Sequence, residues 1–414
     1  MEVAQTSIIN AEILNAQLRK EAWYNTFWAK YAGFVDVSND QNGNPIYTPT
    51  GKPIEMLKEF KPEGRDNMLI PFLKYLTGEP VHGDTVLKGT GEQMAMRWLR
   101  TYVNQTRKAV MKRSGQMSEQ RLEWLKLYDQ AKPLLVDYMS KYENMNVFRA
   151  FYEGVSWELS RGTNYDGLGL VKRYHPNWYY LSAASTISAV GTAKYFKTAA
   201  EMGVAYAGVN GFEMTVLTLR KLRVLCMQLK IPQIVTENGY RFWMLIANPE
   251  TVNNIKVDTD YKAVVRAAYN SKMLDEPELQ GVVSVIEGFA IFEDICGIRA
   301  WDDTNDYLFG DTFSLATEPS VLNTNTNSLV IGGSALGKGI AEDLHYTKEV
   351  DDHENTIEIG GAMINGYNRA DFAAEADAAE ASGDAFYKSN ATGGVSAALA
   401  ATNQSSLILM TDEN

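Results

Sequence analysis

A glycine-rich connection between two short apolar runs limits the folds that this chain can adopt. The runs cover residues 68–75 and 96–110, and the residues between them include Gly78, Pro80, Gly83, Gly89 and Gly91. Because the strands of a hairpin are usually joined by about two to five residues, this connection is unusually long. Pro71 interrupts the first run, which favours an edge strand. We therefore predict two strands joined by a long protruding loop at residues 77–93.

The first 65 residues show little capacity to build a core of their own. Residues 1–30 form a loose amphipathic pattern, and residues 32–65 are rich in turn signals such as Asn42-Gly43 and Asn44-Pro45. A long segment of this kind is either a linker or an arm that packs on something else. Since neither the arm nor the loop can bury itself, we expect both to be covered by other surfaces.

Composition and charge exclude several classes of protein. At about 150 residues per domain, 414 residues correspond to roughly two to three domains. The net charge of −12 argues against a protein that grips DNA over its whole surface. Two cysteines are too few for a disulfide framework or a multi-thiolate metal site, and no apolar run approaches the ~18 residues of a membrane span. We expect a soluble chain, made in a reducing cytosol, without membrane association.

The remaining patterns predict an α+β fold. A helical pattern begins at Ser118, continues to Tyr142 and contains Pro133, which should kink or split the helix. A second helix is predicted over residues 212–229, whereas residues 155–190 look irregular. Strands are predicted over residues 242–247, 282–285, 289–292, 328–331, 357–364 and 407–410. Because the last of these is strongly apolar, we expect it to pair inside a sheet.

A phosphate-loop-like motif follows one of the predicted strands. Residues 332–339 read G-G-S-A-L-G-K-G, which matches G-x-x-x-x-G-K and would place Lys338 beside a phosphate. The next position should be Ser or Thr to hold magnesium, but it is Gly339. We favour a flexible turn that leads into a short helix at Ala341, and we keep a phosphate-binding enzyme using Gly332 to Lys338 as the minor alternative.

No other constellation predicts catalytic chemistry. An acidic group follows the phosphate-loop-like motif, and it lacks the second histidine of a zinc motif. We therefore interpret it as a solvated acidic loop. Its members are Glu342, Asp343, His345, Asp351, Asp352, His353 and Glu354. His82 and His175 are isolated and are expected in turns or at the surface. Cys226 lies within an apolar helix and is expected to be buried and inert. We predict no catalytic, cofactor-binding or metal-binding residue, no cofactor and no enzymatic activity.

One stretch of the chain is strongly basic. Residues 97–126 carry Glu119 and Glu123 against eight basic residues, Arg97, Arg100, Arg107, Lys108, Lys112, Arg113, Arg121 and Lys126. In an acidic chain this excess could contact nucleic-acid phosphates or the acidic surface of a second copy. We favour the second copy, because the stretch lacks aromatic stacking platforms of the kind that single-strand binders use. Acidic partners are available at residues 351–354 and 372–382.

Five short strings, taken in chain order, resemble those of a known family. They are F-W-A-K-Y at 27–31, L-T-G-E-P-V-H-G-D at 76–84, M-S-E-Q-R at 117–121, F-W-M-L-I at 242–246 and G-F-A-I at 288–291. Together with the order of arm, looped strand pair, long helix and compact α+β region, they resemble tailed-phage major capsid proteins with the Hong Kong 97 fold. The specific resemblance is to the enquatrovirus-type (N-four-like) podophages.

The resemblance implies a division of the chain. Residues 1–65 would be the N-terminal arm and residues 66–110 the extended loop, or E-loop. Residues 111–235 together with 346–414 would form the peripheral domain with its spine helix. Residues 236–345 would form the axial domain.

The resemblance also implies a function. The protein would self-assemble, as pentamers and hexamers, into an icosahedral shell that encloses the phage dsDNA without sequence-specific binding. It would be part of the virion capsid, assembled in the host bacterial cytoplasm with a portal and possible scaffolding or decoration proteins. A nanocompartment shell of the same fold is the alternative. The residues expected to contact neighbouring subunits are Thr77, Gly78, Glu79, Pro80, Val81, His82, Gly83, Arg100, Arg107, Lys108, Lys112 and Arg113.

Overall fold

The structure is a computed structural model, and it describes fifteen stretches of the chain. They are residues 26–39, 45–58, 67–73, 96–112, 127–154, 175, 177–183, 186–189, 213–236, 238–261, 282–293, 325–351, 356–372, 402–403 and 405–412. The loop at residues 77–93 and the predicted start of the long helix at Ser118 lie outside them.

Strands predominate among the elements of these stretches. The helices are a 3-10 turn at Phe27–Tyr31, α1 Leu127–Glu153, α2 Val216–Gln228 and α3 Pro249–Val257. The strands are β1 Ala32–Phe34, β2 Asp36–Asn39, β3 Pro45–Thr48, β4 Ile54–Leu57, β5 Asn67–Leu73, β6 Met96–Tyr102, β7 Asn104–Lys112, β8 Trp178–Ala183, β9 Thr186–Ala189, β10 Ile234–Val235, β11 Arg241–Ala247, β12 Ser284–Ile286, β13 Phe289–Glu293, β14 Asn325–Ile331, β15 Leu336–Asp351, β16 Thr356–Arg369, β17 Asp371–Phe372, β18 Thr402–Asn403 and β19 Ser406–Asp412.

A five-stranded sheet has the order β1-β4-β15-β16-β7. Its centre is the long antiparallel pair of β15 and β16, flanked by parallel β4 on one side and antiparallel β7 on the other. Residues 32–65 are predicted to build little core of their own, and β4 from this range packs into the sheet, where Ile54, Met56 and Leu57 are all buried. The reason is that β4 has a strand partner on both sides, β1 and β15.

A second sheet has the order β12-β13-β11-β14-β19-β8-β9, with β10 paired to β11. Its β19 lies between antiparallel β14 and parallel β8. The prediction that the apolar strand at residues 407–410 pairs inside a sheet is therefore confirmed. The predicted strand over residues 242–247 is confirmed as β11, which is buried from Phe242 to Ala247.

The two strands expected to carry the long loop pair with one another. Strands β5 and β6 are antiparallel, with Leu73 opposite Met96 at the end where the connection leaves. Pro71 lies opposite Trp98 in a two-stranded sheet, so both strands are edge strands within the described part of the chain. The looped strand pair is thus confirmed up to the points where the loop departs.

An aromatic cluster ties the N-terminal 3-10 turn to both α1 and the second sheet. The Trp28 ring lies 5.0 Å from the Phe148 ring and 5.5 Å from the Phe151 ring of α1. Phe27 lies 5.4 Å from Phe292 of β13. Since aromatic side chains bury more apolar surface than any others, this contact fixes the turn on its own chain.

Four local expectations are corrected. The helix is not split at Pro133, because this exposed proline removes one backbone donor while α1 continues to Glu153 and packs on β16. No helix starts at Ala341, which lies inside β15. Residues 155–190 were expected to be irregular, yet they contain β8 and β9. His175 is buried rather than at the surface.

Candidate assembly interface

The basic stretch forms one edge of the five-stranded sheet. Strand β7 pairs with β16 on one side, placing Arg107 opposite Ala362 and Lys108 opposite Gly361. Within the described stretches no strand pairs with its other side. The side chains of Arg107 and Lys108 are exposed. An open edge with cationic side chains resists uncontrolled strand pairing and leaves the charges available to an acidic partner.

A tyrosine pair on α1 contacts the ammonium group of Lys108. The Lys108 Nζ lies 5.2 Å from the centre of the Tyr138 ring, and that ring stacks on Tyr142 at 6.3 Å. Burial raises the pKa of the Tyr138 phenol, so the ring under the ammonium group is neutral at physiological pH. A cation over an aromatic face gains about 0.5–1 kcal/mol at an exposed site, which holds the Lys108 ammonium group over this ring of α1.

The structure describes only some of the residues expected to contact neighbours. Arg107 and Lys108 share the edge strand, with the backbone of Lys112 at its end. Arg100 lies on β6, in the two-stranded sheet. The segment from Thr77 to Gly83, which includes His82, lies outside the described stretches. Arg113 lies outside them as well. These contacts therefore stay predictions.

Part of the acidic group is placed as well. Asp351 ends β15 opposite Thr356, and the next residue of β16, Ile357, lies opposite Lys112 of β7. Acidic and basic residues thus occur at the same end of the sheet. Glu342, Asp343 and His345 are strand residues rather than loop residues, so the interpretation as a loop is wrong for them. In the described part, no group of three or more His, Cys, Asp or Glu side chains could hold a metal ion.

Helix α2 exposes three apolar side chains that the sequence analysis did not single out. Leu217, Val224 and Met227 are 45%, 51% and 53% exposed and share one face, because they are separated by seven and three residues. Leu219, Leu222 and Cys226 point the other way and are fully buried. Basic residues share the exposed side of α2, namely Arg220, Lys221 and Arg223, and Arg220 and Arg223 pair with Glu287. The exposed side of α2 is therefore mixed, with apolar side chains among basic ones.

The phosphate-loop-like motif has no free amides with which to bind a phosphate. The backbone N–H groups from Gly332 to Leu336 donate to carbonyl oxygens of Ser405, Pro232, Lys52 and Pro53. The Ser334 hydroxyl donates to Glu55 Oε1 at 2.9 Å. The interpretation as a structural turn is confirmed, whereas a phosphate cradle needs these donors and a solvent-facing lysine.

The lysine of the motif is buried and bound to a carboxylate. Lys338 is 3% exposed, and its Nζ lies 3.0 Å from Glu143 Oε2 on α1. Glu143 Oε1 accepts a hydrogen bond from Asn365 Nδ2 of β16 at 2.9 Å. Burial lowers the pKa of the Lys338 amine, and the charge of Glu143 opposes this only in part. The motif therefore serves the packing of α1 on the sheet.

The remaining nucleophile and base candidates are structural. Burial raises the pKa of the Cys226 thiol to about 12, which confirms a buried, unreactive cysteine. His175 Nδ1 accepts from the Asn177 backbone N–H at 3.1 Å, so Nε2 carries the hydrogen and donates to Ser406 Oγ at 2.8 Å. A base that activated Ser406 would need a free Nε2 lone pair. No helix in the described part is long and apolar enough to span a membrane.

Comparison with known proteins assigns the chain. The model of a family described as phage capsid protein matches residues 26–386. The chain belongs to this phage capsid protein family. No curated protein matches it. It is a capsid shell protein, not an enzyme.

The capsid protein has the Hong Kong 97-like fold of phage major capsid proteins. It is similar to the capsid of Ralstonia phage GP4, with a TM-score of 0.60 and 14% identity over 94% of this chain and 91% of that chain. It is also similar to the head of Helicobacter pylori bacteriophage KHP40, with a TM-score of 0.53 and 12% identity over 95% and 93%. The acidic stable capsid of Helicobacter pylori bacteriophage KHP30 is similar as well, with a TM-score of 0.52 and 13% identity over 94% of this chain and 92% of that chain.

Proposed function

We propose that this capsid protein builds, through pentamers and hexamers, an icosahedral shell around the dsDNA genome of an enquatrovirus-type (N-four-like) podophage. Assembly takes place in the host bacterial cytoplasm, with a portal and, where present, scaffolding or decoration proteins. The DNA is enclosed without sequence-specific contacts, in keeping with the net charge of −12.

The observation that carries the proposal is the open basic edge at β7 in a family of shell proteins. Arg107 and Lys108 are exposed and can pair with acidic residues, which the same chain carries at residues 351–354 and 372–382. A contact between different surfaces of identical copies is heterologous, and such contacts generate rings when the rotation closes. Rings of five and six subunits are the units from which a closed shell is made.

The proposal also assigns parts. Residues 1–65 act as the N-terminal arm, 66–110 as the E-loop, 111–235 with 346–414 as the peripheral domain and 236–345 as the axial domain. Thr77 to Gly83 reach a neighbouring subunit, and Arg100, Arg107, Lys108, Lys112 and Arg113 face its acidic residues. The β5–β6 pair supports this, because Leu73 and Met96, the residues that flank the long connection, lie opposite one another at its end.

Electron microscopy of the expressed protein tests the proposal. We expect closed shells with five-fold and six-fold units when the protein is concentrated, alone or with a scaffolding partner. Compact monomers under all these conditions would contradict it. Shells that copurify with a protein cargo and cannot take up DNA would point to a nanocompartment instead.

A further inference from the structure

A buried amine, a carboxylate and an amide meet where α1 packs on β15 and β16. The two oxygens of Glu143 contact different partners, Lys338 Nζ at 3.0 Å and Asn365 Nδ2 at 2.9 Å. Lys338, Glu143 and Asn365 are 3%, 7% and 4% exposed. One carboxylate therefore connects a primary amine to a carboxamide in a site that excludes water.

The strand register brings the amine and the amide to the same face. Lys338 lies opposite Tyr367 and Ile340 lies opposite Asn365, so Lys338 and Asn365 form a diagonal cross-strand pair. Diagonal pairs are about 7–8 Å apart at the backbone, a gap that a lysine side chain spans. The Tyr367 ring, 5.1 Å from Nζ, covers the amine. Asn365 Oδ1 has no hydrogen-bond partner within the described stretches.

Burial disfavours the charged form of the Lys338 amine. The pKa of Lys338 is lowered by this burial, although the Glu143 carboxylate opposes the shift in part. A lysine desolvated in this way is an activated nucleophile. The same carboxyl group also lies within hydrogen-bond distance of Nδ2, the nitrogen that would leave if the amide carbon were attacked.

We propose that Lys338 and Asn365 form an intramolecular isopeptide bond within the folded chain, with Glu143 as the proton-transfer group. The Lys338 ammonium gives one proton to Glu143, and the freed electron pair of Nζ forms a bond to Asn365 Cγ. The Cγ–Nδ2 bond then breaks, and a second proton of Nζ passes through Glu143 to Nδ2. Ammonia leaves, and the first proton stays on Glu143. No oxidant or reductant is consumed, and the reaction occurs once per chain.

The reaction removes a buried ion pair. Charged groups inside a protein carry a desolvation penalty that their mutual attraction does not always repay. The products are a neutral amide and a neutral carboxyl group, so the penalty disappears. The bond joins β15 to β16 covalently beneath α1, and its presence does not depend on whether the chain forms shells.

The mass of the intact, fully denatured protein tests the proposal. We expect it to be lower than the sequence mass by one ammonia, about 17 Da, whether the protein comes from shells or from unassembled chains. Tryptic digestion should yield one branched peptide that joins the segments containing Lys338 and Asn365. A wild-type protein of full sequence mass would overturn the proposal without any variant having to fold.

Variants distinguish this bond from other losses of ammonia. Lys338→Met and Glu143→Gln should restore the full mass, whereas the matched control Lys58→Met should retain the loss. Lys58 is also paired with a carboxylate, that of Asp343, but at the surface. Because Asn365 precedes Gly366, a succinimide at that position would lose the same mass. A loss that persists in Lys338→Met would identify the succinimide and overturn the isopeptide bond.

Discussion

Arg369 and Asp371 form a fully buried ion pair at the end of β16. The Arg369 Nε lies 2.9 Å and 3.0 Å from the two Asp371 carboxylate oxygens, and Nη2 lies 2.7 Å from one of them. Both side chains are 0% exposed. The same guanidinium donates to the carbonyl oxygens of Phe151 and Tyr152, in the last turn of α1. Arg369 thus caps the negative end of the helix while it fastens the helix to the sheet.

Breaking this pair should strongly destabilise the protein. Asp371→Asn leaves the guanidinium buried without its counter-charge, and removing one partner of a buried pair costs about 3–5 kcal/mol. Urea unfolding of the unassembled protein measures the change. The control is Asp137→Asn, which breaks the exposed pair with Lys141 and should cost no more than about 1 kcal/mol. Equal effects of the two changes would refute the role given to Arg369.

Gly332 in the turn and Gly337 in β15 should differ in their tolerance of a methyl group. A Cβ at Gly332 would lie 2.2 Å from the Pro232 carbonyl oxygen, whereas one at Gly337 would meet the side-chain ends of Ile70 and Leu99 at 2.8 and 2.9 Å. Backbone cannot move as side chains do, so Gly332→Ala should lose roughly 1–3 kcal/mol or more and Gly337→Ala less. Thermal unfolding of both variants ranks them, and the reverse order would contradict the structure.

Acid should weaken the protein partly through His175. Burial and the charge of Arg369 lower the pKa of His175 well below its ordinary value, and Asp371 opposes this only in part. A base whose folded-state pKa is depressed contributes stability above its unfolded pKa of about 6.5, and this is lost as the pH falls towards the folded value. The loss is at most about 1.4 kcal/mol per pH unit.

The variant His175→Gln isolates this contribution. The difference in unfolding free energy between wild type and variant should shrink as the pH falls from 7.5 to about 5.5. The reason is that the unfolded wild-type chain takes up a proton on His175 in this range, whereas the variant has no histidine there. Urea titrations at several pH values measure it. A difference that stays constant with pH would show that His175 titrates normally.

Reversing the edge charges should slow shell assembly at low salt. Arg107→Glu with Lys108→Glu replaces attraction to acidic residues of a neighbour by repulsion. The Debye length falls to about 3 Å near 1 M salt, so the defect should fade there. Light scattering follows the assembly rate, and Lys108→Glu can be compared with Lys256→Glu, an exposed charge on α3. Normal assembly with poor genome retention would instead assign this edge to packaged DNA.

Deleting residues 78–91 should leave a folded subunit that cannot assemble. The β5–β6 register places the loop beyond Leu73 and Met96, and its glycines permit reach with little self-packing. Circular dichroism checks the fold and size-exclusion chromatography checks assembly. Normal shells from the deletion variant would exclude this loop as a contact between subunits.

Local sequence patterns predicted the strands that are bounded by clear turn residues. The run at residues 242–247 is purely apolar and ends at Asn248-Pro249, and it folds as β11. The helix predicted at Ala341 failed because β15 is stabilised by two distant partners, β4 and β16, which a local pattern cannot show. His175 was misplaced for a similar reason, because its partner Ser406 is 231 residues away.

The candidate interface was predictable in composition but not in position. The basic residues Arg107 and Lys108 stand out by charge alone, whereas their place at a sheet edge depends on the pairing of β7 with β16. The contact of Glu143 with Lys338 and Asn365 joins residues 195 and 222 positions apart. Such contacts arise only from the tertiary fold.

The position of β19 at the end of the described chain means that the second sheet is completed late in synthesis. Among the strands that the structure describes, β8 is joined to β14, β11 and β13 only through β19, which follows β9 by more than two hundred residues. A ribosome adding about 5–20 residues per second needs some 10–45 s to cover that distance. Until β19 is made, β8 and β9 lack the strand that joins them to β14, β11 and β13. A chain without β19 therefore has an incomplete second sheet, and we expect it not to enter a shell.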